Sequence, residues 1–303
     1  MACKVWAEAQ GSVPQHEARR VLKVYRERQD DYHLGFLRDA PYVGAIRRQA
    51  VDRLWQLCEL ARLDETTAHV ATRFFDRVMQ HPHGLDVPLA LLGVVCVRLA
   101  AKFEQREEDV PSLERLLGRR ISRDDARRAT DAEVALANAL GWDLYTITSL
   151  HVVELLNKAD ELVVDRRGDL LGGAAAVAAD ATAFVRSYTV FFANMALQSP
   201  YFLALDPCLL GAAIVLATRQ LLCITPHWPN RLAEATRFRV ADLHSTAALV
   251  LERYSVEFAD HAKSVGHFAG KAQSPKNVAD SGAYRDIFFD EPSEATSSDH
   301  IFW

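Results

Sequence analysis

Residues 89–105 read LALLGVVCVRLAAKFEQ, and this stretch decides the fold class of the chain. From Leu89 to Ala101 its only charged residue is Arg98. A helix that is apolar nearly all round has no side for water, so it belongs in the centre of a bundle. The apolar run is also shorter than the about 20 residues that a membrane-spanning helix needs. The stretch therefore predicts a helix that other helices surround.

Arg98 and Lys102 are the basic residues of this stretch, and they stand four positions apart. Residues at that spacing share one face of a helix. The residues alone leave two interpretations open. Either both side chains lie along the surface with their charged heads in water, or Lys102 reaches a partner protein.

Apolar residues recur at helical spacing on both sides of this central stretch. The segments with that pattern are residues 14–30, 44–61, 65–80, 111–117, 123–140 and 148–159. Ser122 stands where an N-cap is expected before one of them, and Gly118 follows the end of another. No segment shows the alternation of a convincing strand, so we expect an all-α protein.

The second half of the chain repeats the scheme of the first. Residues 207–222 read PCLLGAAIVLATRQLL, which aligns with PLALLGVVCVRLAAKF and matches Gly211 to Gly93 at an offset of 118 positions. Further helices are predicted over 174–197, at Ser199-Pro200, after Trp228-Pro229 and over 239–257. Such an internal repeat predicts tandem five-helix units, each with an apolar helix at its centre.

Changes in composition predict where these units begin and end. Residues 165–173 are charged and then glycine-rich, which is typical of a linker. From about residue 271 Gly, Ser, Pro and acidic residues dominate, which predicts a flexible acidic tail. The expected division is an N-terminal helix and lead-in over 1–43, a first repeat over 44–160, a second over 174–260 and the tail over 261–303.

The overall charge and the cysteines narrow the range of functions. The net charge is −5 and there is no long Lys/Arg run, so the sequence lacks the electrostatic pattern of a nucleic-acid-binding protein. The five cysteines form no CxxC pair and no disulfide framework, which suits a reducing compartment. The N-terminal residues lack the apolar core of a signal peptide. We therefore expect a protein of the nucleus or cytoplasm, with no metal and no membrane partner.

Short motifs follow one another in order along the first repeat. They are IRRQAVDR at 46–53, DRVM at 76–79, LALLG at 89–93, LAAKFEQ at 99–105, Glu133, and LGWDL at 140–144. With the tandem repeats, they resemble the cyclin family and its two cyclin folds, from about residue 14 to about 260. The family's five signature positions fall on Arg47, Asp76, Leu91, Lys102 and Glu133. Second-repeat features such as Ser199-Pro200-Tyr201 resemble the A- and B-type mitotic cyclins.

The resemblance implies a role for each of these residues. Arg47 and Asp76 would form a structural pair inside the first repeat, and Leu91 and Gly93 would lie in its core. Lys102 and Glu133 would hydrogen-bond the backbone of a partner kinase. Leu99, Phe103 and Trp142 would pack against the kinase's regulatory helix. A purely internal Lys102–Glu133 salt bridge is the alternative that stays open.

The implied function is that of a regulatory subunit, without cofactor or catalytic group, which binds and allosterically activates a cyclin-dependent protein kinase. Its N-terminal helix would pack on the second repeat. A scaffold of the transcription factor IIB type, which binds DNA or polymerase, is the alternative, but the net charge and the lack of CxxC disfavour it. An enzyme is a further alternative. His69, His151 and His244 have acidic neighbours, but no HExxH, GxSxG or P-loop pattern accompanies them.

Overall fold

Helices form every regular element in the part of the chain that the structure describes. This computed structural model describes residues 13–29, 45–79, 85–159 and 175–259. The described residues contain no strand, which confirms the all-α prediction. No helix among them is long and apolar enough to cross a bilayer. They fall into two compact units, one from the part between 29 and 148 and the other from 11–28 together with 149–301.

The first unit contains five α-helices and one 3₁₀ turn in its described residues. They are α2 (Ala45–Leu60), α3 (Glu65–Met79), α4 (Leu89–Glu104), the 3₁₀ turn Glu107–Asp109, α5 (Leu113–Leu117) and α6 (Arg123–Ala139). Helix α4 packs against α2, α3, α5 and α6. The sequence-predicted central helix is therefore confirmed as the centre of this unit.

The burial of α4 follows its sequence closely. Every residue from Leu92 to Val97 and from Leu99 to Ala101 is buried. Gly93 is among them, as predicted for the core. Leu91 is only half-buried, which corrects its placement in the core. Successive helical residues are rotated by about 100°, and at this end of α4 it is Leu92 that points inward.

In its described residues, the second unit contains the N-terminal helix and a second set of five α-helices. The helices are α1 (Gln15–Gln29, of which residues up to Arg28 belong to this unit), α7 (Ser149–Ala159), α8 (Ala175–Gln198), the 3₁₀ turn Pro200–Phe202, α9 (Pro207–Leu221), α10 (Asn230–Thr236) and α11 (Val240–Glu257). Helix α9 packs against α7, α8 and α11. Its buried residues include Gly211, the counterpart of Gly93.

The structure places α7 in the second unit, whereas the sequence-based boundary at residue 160 put it in the first. Its packing explains the difference, because α7 lies against α8 and α9. A Cβ built on Gly211 would lie 2.6 Å from Val152 Cβ and 2.9 Å from the Ser149 carbonyl oxygen. Only glycine permits so close an approach of α9 to α7. The second five-helix set therefore begins at Ser149.

Two predicted helix starts have the expected capping bonds. Ser122 Oγ accepts a hydrogen bond from Asp125 N–H at 3.0 Å, and the Asp125 carboxylate accepts one from Ser122 N–H at 3.5 Å. Asp206 Oδ1 accepts from the backbone N–H groups of Cys208 and Leu209 at 2.7 and 3.0 Å. Such caps satisfy donors that the first turn leaves without an intrahelical partner.

Helix α1 is anchored to the helices of its own unit. Val13 N donates to the Lys158 carbonyl at 3.0 Å, and Gln15 Nε2 donates to the Arg231 carbonyl at 3.3 Å. The Arg26 guanidinium lies 4.5 Å from the centre of the Phe238 ring. The remainder of the predicted lead-in and the predicted tail over 261–303 lie outside the described residues.

Candidate protein-binding site

Three charged side chains of the first unit meet where α4 packs on α6. Arg98 and Lys102 come from one face of α4, and Glu133 comes from α6. Arg98 Nη1 donates to Glu133 Oε2, and Lys102 Nζ donates to Glu133 Oε1. We call these three residues the Glu133 cluster. The sequence singled out all three residues but did not predict that Arg98 shares the carboxylate.

Exposure is graded across the Glu133 cluster. The Lys102 side chain is 39% exposed, that of Arg98 25% and that of Glu133 13%. Lys102 is thus the outer cation and Arg98 the inner one. Two cations on one carboxylate leave the cluster with a formal charge of about +1. The internal Lys102–Glu133 salt bridge, which the sequence left open as an alternative, is therefore present in the unbound chain. Lys102 is still accessible to a partner, because it is the outer cation.

Large apolar side chains are exposed on the same two helices and just beyond α6. Phe103, which follows Lys102, is 40% exposed, and Trp142, three residues after α6, is 64% exposed. Val134, which follows Glu133, is 48% exposed and was missed by the sequence analysis. Its position directly after Glu133 is the signal that could have identified it. Exposed aromatic side chains beside charge are typical of protein-binding surfaces.

Leu99 does not join this exposed set, which corrects its predicted contact with a partner. It is only 5% exposed and belongs to the core of the unit. The physical reason is its place along α4: Leu99 lies in the enclosed part of the helix beside buried Ala100, whereas Phe103 lies one turn further on, near the end of the helix. Leu99 can support the site from beneath but offers a partner very little surface.

The end of α6 holds Trp142 in its exposed position. Gly141 has φ +63°, its N–H bonds to the Asn138 carbonyl at 2.9 Å, and Trp142 N–H bonds to the Ala137 carbonyl at 2.8 Å. This pair of bonds is a Schellman motif, which ends a helix at a left-handed residue. The Trp142 indole Nε1 then donates to Asn138 Oδ1 at 2.8 Å. The ring is fixed without being buried.

Trp142 itself has φ +57°, an uncommon conformation for a bulky residue. Backbone strain of this kind costs of order 1–3 kcal/mol and persists only where the surroundings enforce it. Arg77 supplies part of that support, since Nη1 donates to the Asp143 carbonyl at 2.8 Å and Nη2 to the Leu140 carbonyl at 3.2 Å. The segment that presents Trp142 is therefore tied to α3.

Arg47 and Asp76 meet in the interior of the unit, between α2 and α3. Arg47 Nε lies 2.9 Å from Asp76 Oδ1, and Nη2 lies 3.1 Å from Oδ2. Both side chains are almost completely buried. A bidentate pair of this geometry is the strong form of an Arg–carboxylate contact. The structure thus brings the two residues together as the resemblance implied, away from solvent.

The described residues contain no group of three or more His, Cys, Asp or Glu arranged to hold a metal ion. Cys58 and Cys96 are buried and free, and burial raises the pKa of the Cys58 thiol to about 12. A thiol with so high a pKa is a poor nucleophile. The Glu133 cluster with its exposed neighbours is accordingly the site that this structure presents best, and its features are those of a binding surface.

Comparison with known proteins assigns the chain to a family. The family model for the cyclin N-terminal domain matches residues 21–145, and that for the cyclin C-terminal domain matches residues 174–278. The two ranges together take in well over half of the 303 residues. The first ends before α7 and the second begins after it, so neither match includes this helix.

Similar proteins include cyclins of several subgroups. Cyclin-J of Xenopus laevis is 28% identical over 63% of this chain and 50% of its own length. Cyclin-J-like protein of Mus musculus is 26% identical over 77% of this chain and 62% of its own length. Cyclin-A2-1 of Arabidopsis thaliana is 25% identical over 77% of this chain and 49% of its own length. The chain thus spans about half to three fifths of these relatives. D-type cyclins match as well, among them Cyclin-D of Ostreococcus tauri, which is 31% identical over 44% of this chain and 36% of its own length. These matches do not support the prediction of a specifically A- or B-type cyclin.

Among solved structures, the chain is similar to a viral cyclin from herpesvirus saimiri, with a TM-score of 0.47 and 18% identity over 69% of this chain and 86% of that one. The assignment rests on the two family models, which match the first and the second part of the chain in that order. The chain belongs to the cyclin family.

Proposed function

We propose that this chain is a regulatory subunit that binds a cyclin-dependent protein kinase and activates it allosterically. The observation that carries the proposal is the Glu133 cluster, together with exposed Phe103 and Val134 on the same two helices and Trp142 just beyond α6. The resemblance implies that Lys102 and Glu133 stand at positions through which the family contacts its kinase. The alternative of a IIB-type scaffold has no comparable surface feature in its favour, since the net charge is −5.

The two kinds of side chain at this site would do different work. Exposed aromatic and aliphatic surface supplies affinity when a partner covers it, and tryptophan is prominent among residues that dominate binding energy. Charged groups with directed hydrogen bonds fix the register and orientation of the bound segment. A partner segment with free backbone N–H and C=O groups and an apolar face fits both requirements. The end of an amphipathic helix has this chemistry.

The proposed mechanism is a shift in the conformational equilibrium of the kinase. Binding would favour the state in which the regulatory helix is turned inward and its glutamate pairs with the lysine that positions ATP. This chain would add no catalytic group, so its own contribution is the differential affinity for the two kinase states.

The cellular process, the cyclin subgroup and the localisation of the chain are also part of the proposal. Control of cell-cycle progression is proposed from membership of the cyclin family alone. The subgroup stays open, because the similar proteins include cyclin-J, D-type and A-type cyclins. Localisation to the nucleus or cytoplasm is supported by the free cysteines of the described residues.

The test is direct binding and activation with a panel of purified human and Arabidopsis thaliana cyclin-dependent kinases. Lys102→Glu and Glu133→Lys should each weaken binding by about thirty-fold to a few thousand-fold, because disrupting a desolvated interface charge costs about 2–5 kcal/mol. Circular dichroism and thermal melting would show that both variants stay folded. Undiminished binding by folded variants would refute the site, and a panel that shows neither binding nor activation would refute the function.

A charge reversal elsewhere on α6 provides the control. Arg127 and Asp131 form a largely exposed ion pair at 3.9 Å. Arg127→Glu and Asp131→Lys make the same changes of charge but should leave kinase affinity within a few-fold of wild type, since exposed charges are screened by salt. Losses equal to those at the Glu133 cluster would indicate a general charge effect. Duplex DNA binding in low salt, measured by gel shift, would instead favour the IIB-type alternative.

A further inference from the structure

The Glu133 carboxylate is divided between two cations of unequal exposure. Its Oε2 accepts from Arg98 Nη1 and its Oε1 from Lys102 Nζ. Lys102 is the more exposed of the two, and Glu133 is the least exposed of the three. A partner arriving from solvent therefore meets Lys102 before it meets Arg98.

Engagement of Lys102 by a partner has a cost for Glu133. When the ammonium group turns toward a carbonyl of the partner, Glu133 loses the donor on Oε1. A largely buried carboxylate left without a cation is strongly disfavoured. Arg98, on the other oxygen, does not have to move in this exchange. It can keep the carboxylate neutralised and in place, with Oε1 open to an N–H group of the partner.

We propose that Arg98 is a positioning residue of the kinase site, which holds Glu133 in its binding orientation while Lys102 is transferred to the partner. This inference rests on the proposed function. It assigns Arg98 a role through Glu133 and not through a contact of its own, because Arg98 is the inner cation. The long, forked guanidinium suits that task, since it can remain bonded while its neighbour leaves.

The hydrogen bonding of Arg98 indicates how its role in binding can be distinguished from a role in stability. Its Nε atom is buried and makes no hydrogen bond within the described residues. Removing one partner of a buried ion pair is destabilising when it strands the other charge. Glu133 keeps Lys102 in the unbound chain of Arg98→Leu, so no charge is stranded there. Arg98→Leu should therefore leave the melting temperature unchanged, and its defect should emerge only on binding.

The experiment measures kinase affinity and thermal stability for a small set of variants, with the tightest-binding kinase of the panel as the probe. Arg98→Leu should weaken binding by about ten-fold or more without lowering the melting temperature. Arg98→Lys, which keeps the charge, should recover most of the affinity. In a Glu133→Gln background, where no carboxylate needs neutralising, Arg98→Leu should cause no further loss.

Each other outcome overturns the assignment. A loss that persists in the Glu133→Gln background would mean that Arg98 contacts the kinase itself, and undiminished affinity of Arg98→Leu would mean that Lys102 never leaves Glu133. A melting temperature lowered together with affinity would indicate a structural role. Failure of the proposed function is distinguishable, because the wild-type chain would then bind no kinase of the panel.

Discussion

At the scale of single residues, the buried Arg47–Asp76 pair has the strongest expected effect on stability. Asp76→Ala should lower the free energy of unfolding by about 3–5 kcal/mol, because it strands a guanidinium in the interior. Arg47→Ala should lower it by a similar amount, because it leaves the Asp76 carboxylate without its partner in the interior. The double variant should be less destabilised than the sum of the two, with a coupling of order 0.5–3 kcal/mol. Urea unfolding of the four proteins measures this cycle.

The Arg127–Asp131 pair on α6 is the matched control, since it joins the same residue types in a largely exposed position. Alanine at either position should cause no resolvable change in stability, as is usual for exposed ion pairs. Additive effects at Arg47 and Asp76 would contradict their coupling. A loss of stability of similar size at Arg127 or Asp131 would also contradict the prediction, because the effect should depend on burial of the pair.

Asp52 on α2 gives stability a dependence on pH. Burial raises the pKa of this carboxyl to about 6 from an ordinary 3.8, although Arg48 nearby lowers it. The folded chain therefore holds a proton that the unfolded chain has already released, and stability falls as pH rises from about 4 through about 6. Asp52→Asn should be more stable than wild type at pH 7 by of order 1 kcal/mol, since partial exposure reduces the effect.

Urea unfolding at a series of pH values tests the Asp52 prediction. The two proteins should approach equal stability near pH 4, where the carboxyl is protonated in the folded chain. A difference that stays constant from pH 4 to pH 8 would show that the amide acts through packing and not through ionisation.

Some residues of the candidate site could be predicted from the sequence, and others could not. The motifs identified Lys102 and Glu133, and helical spacing placed Arg98 beside Lys102. The face on which an apolar residue lies depends on which neighbours pack there. Leu99 was therefore assigned to the surface although it is buried, and the exposed Val134 was missed.

At the scale of elements, the glycines of the two central helices should respond differently to the same change. A Cβ on Gly211 would lie 2.6 Å from Val152 Cβ, whereas one on Gly93 would have Leu54 Cδ2 as its nearest neighbour at 3.8 Å. Gly211→Ala should be destabilising by about 1–3 kcal/mol, the usual cost of forcing atoms into a packed core. Gly93→Ala should be neutral or stabilising by up to about 1 kcal/mol, because alanine favours helix.

Thermal melting of the two glycine variants provides the measurement, and each serves as the other's control because they occupy matched positions of the repeat. A neutral Gly211→Ala would mean that α7 and α9 separate without cost. The repeat predicted the equivalence of the two glycines from their spacing alone. It could not predict that one contact is much tighter, since that depends on Val152 and Ser149 of another helix.

The same contact explains why the boundary between the units was misplaced from sequence. Residues 148–159 directly follow the first set of helices, and nothing in their periodicity names their partner. The number of helices in each repeat indicates where the boundary lies. In the described residues, the five helices α2 to α6 lie between α1 and Ser149, and a second set of five is complete only if α7 is its first member. An internal repeat therefore constrains a boundary better than a glycine-rich linker does.

At the scale of the whole molecule, chain order and unit membership differ. Helix α1 comes first in the sequence but belongs to the second unit, where Ala18, Leu22 and Tyr25 are buried. Hydrophobic periodicity predicted this helix, and the resemblance implied its place on the second repeat. Composition and spacing alone could not have placed it, because its partners lie more than 100 residues further along the chain.

Leu22 provides the test of this arrangement. Leu22→Ala should lower the stability of the second unit by about 2–5 kcal/mol, as truncation of a buried leucine generally does. Amide hydrogen exchange can locate the effect, because protection reports the opening of each region separately. Exchange should accelerate in α7 and α10, which α1 contacts through Val13 and Gln15, while α4 of the first unit keeps its protection. Val24→Ala, at a 44% exposed position of the same helix, should leave both units unchanged. Equal loss of protection in α4 and α7 would contradict the assignment of α1 to the second unit, because the first unit would then depend on this helix as strongly as the second.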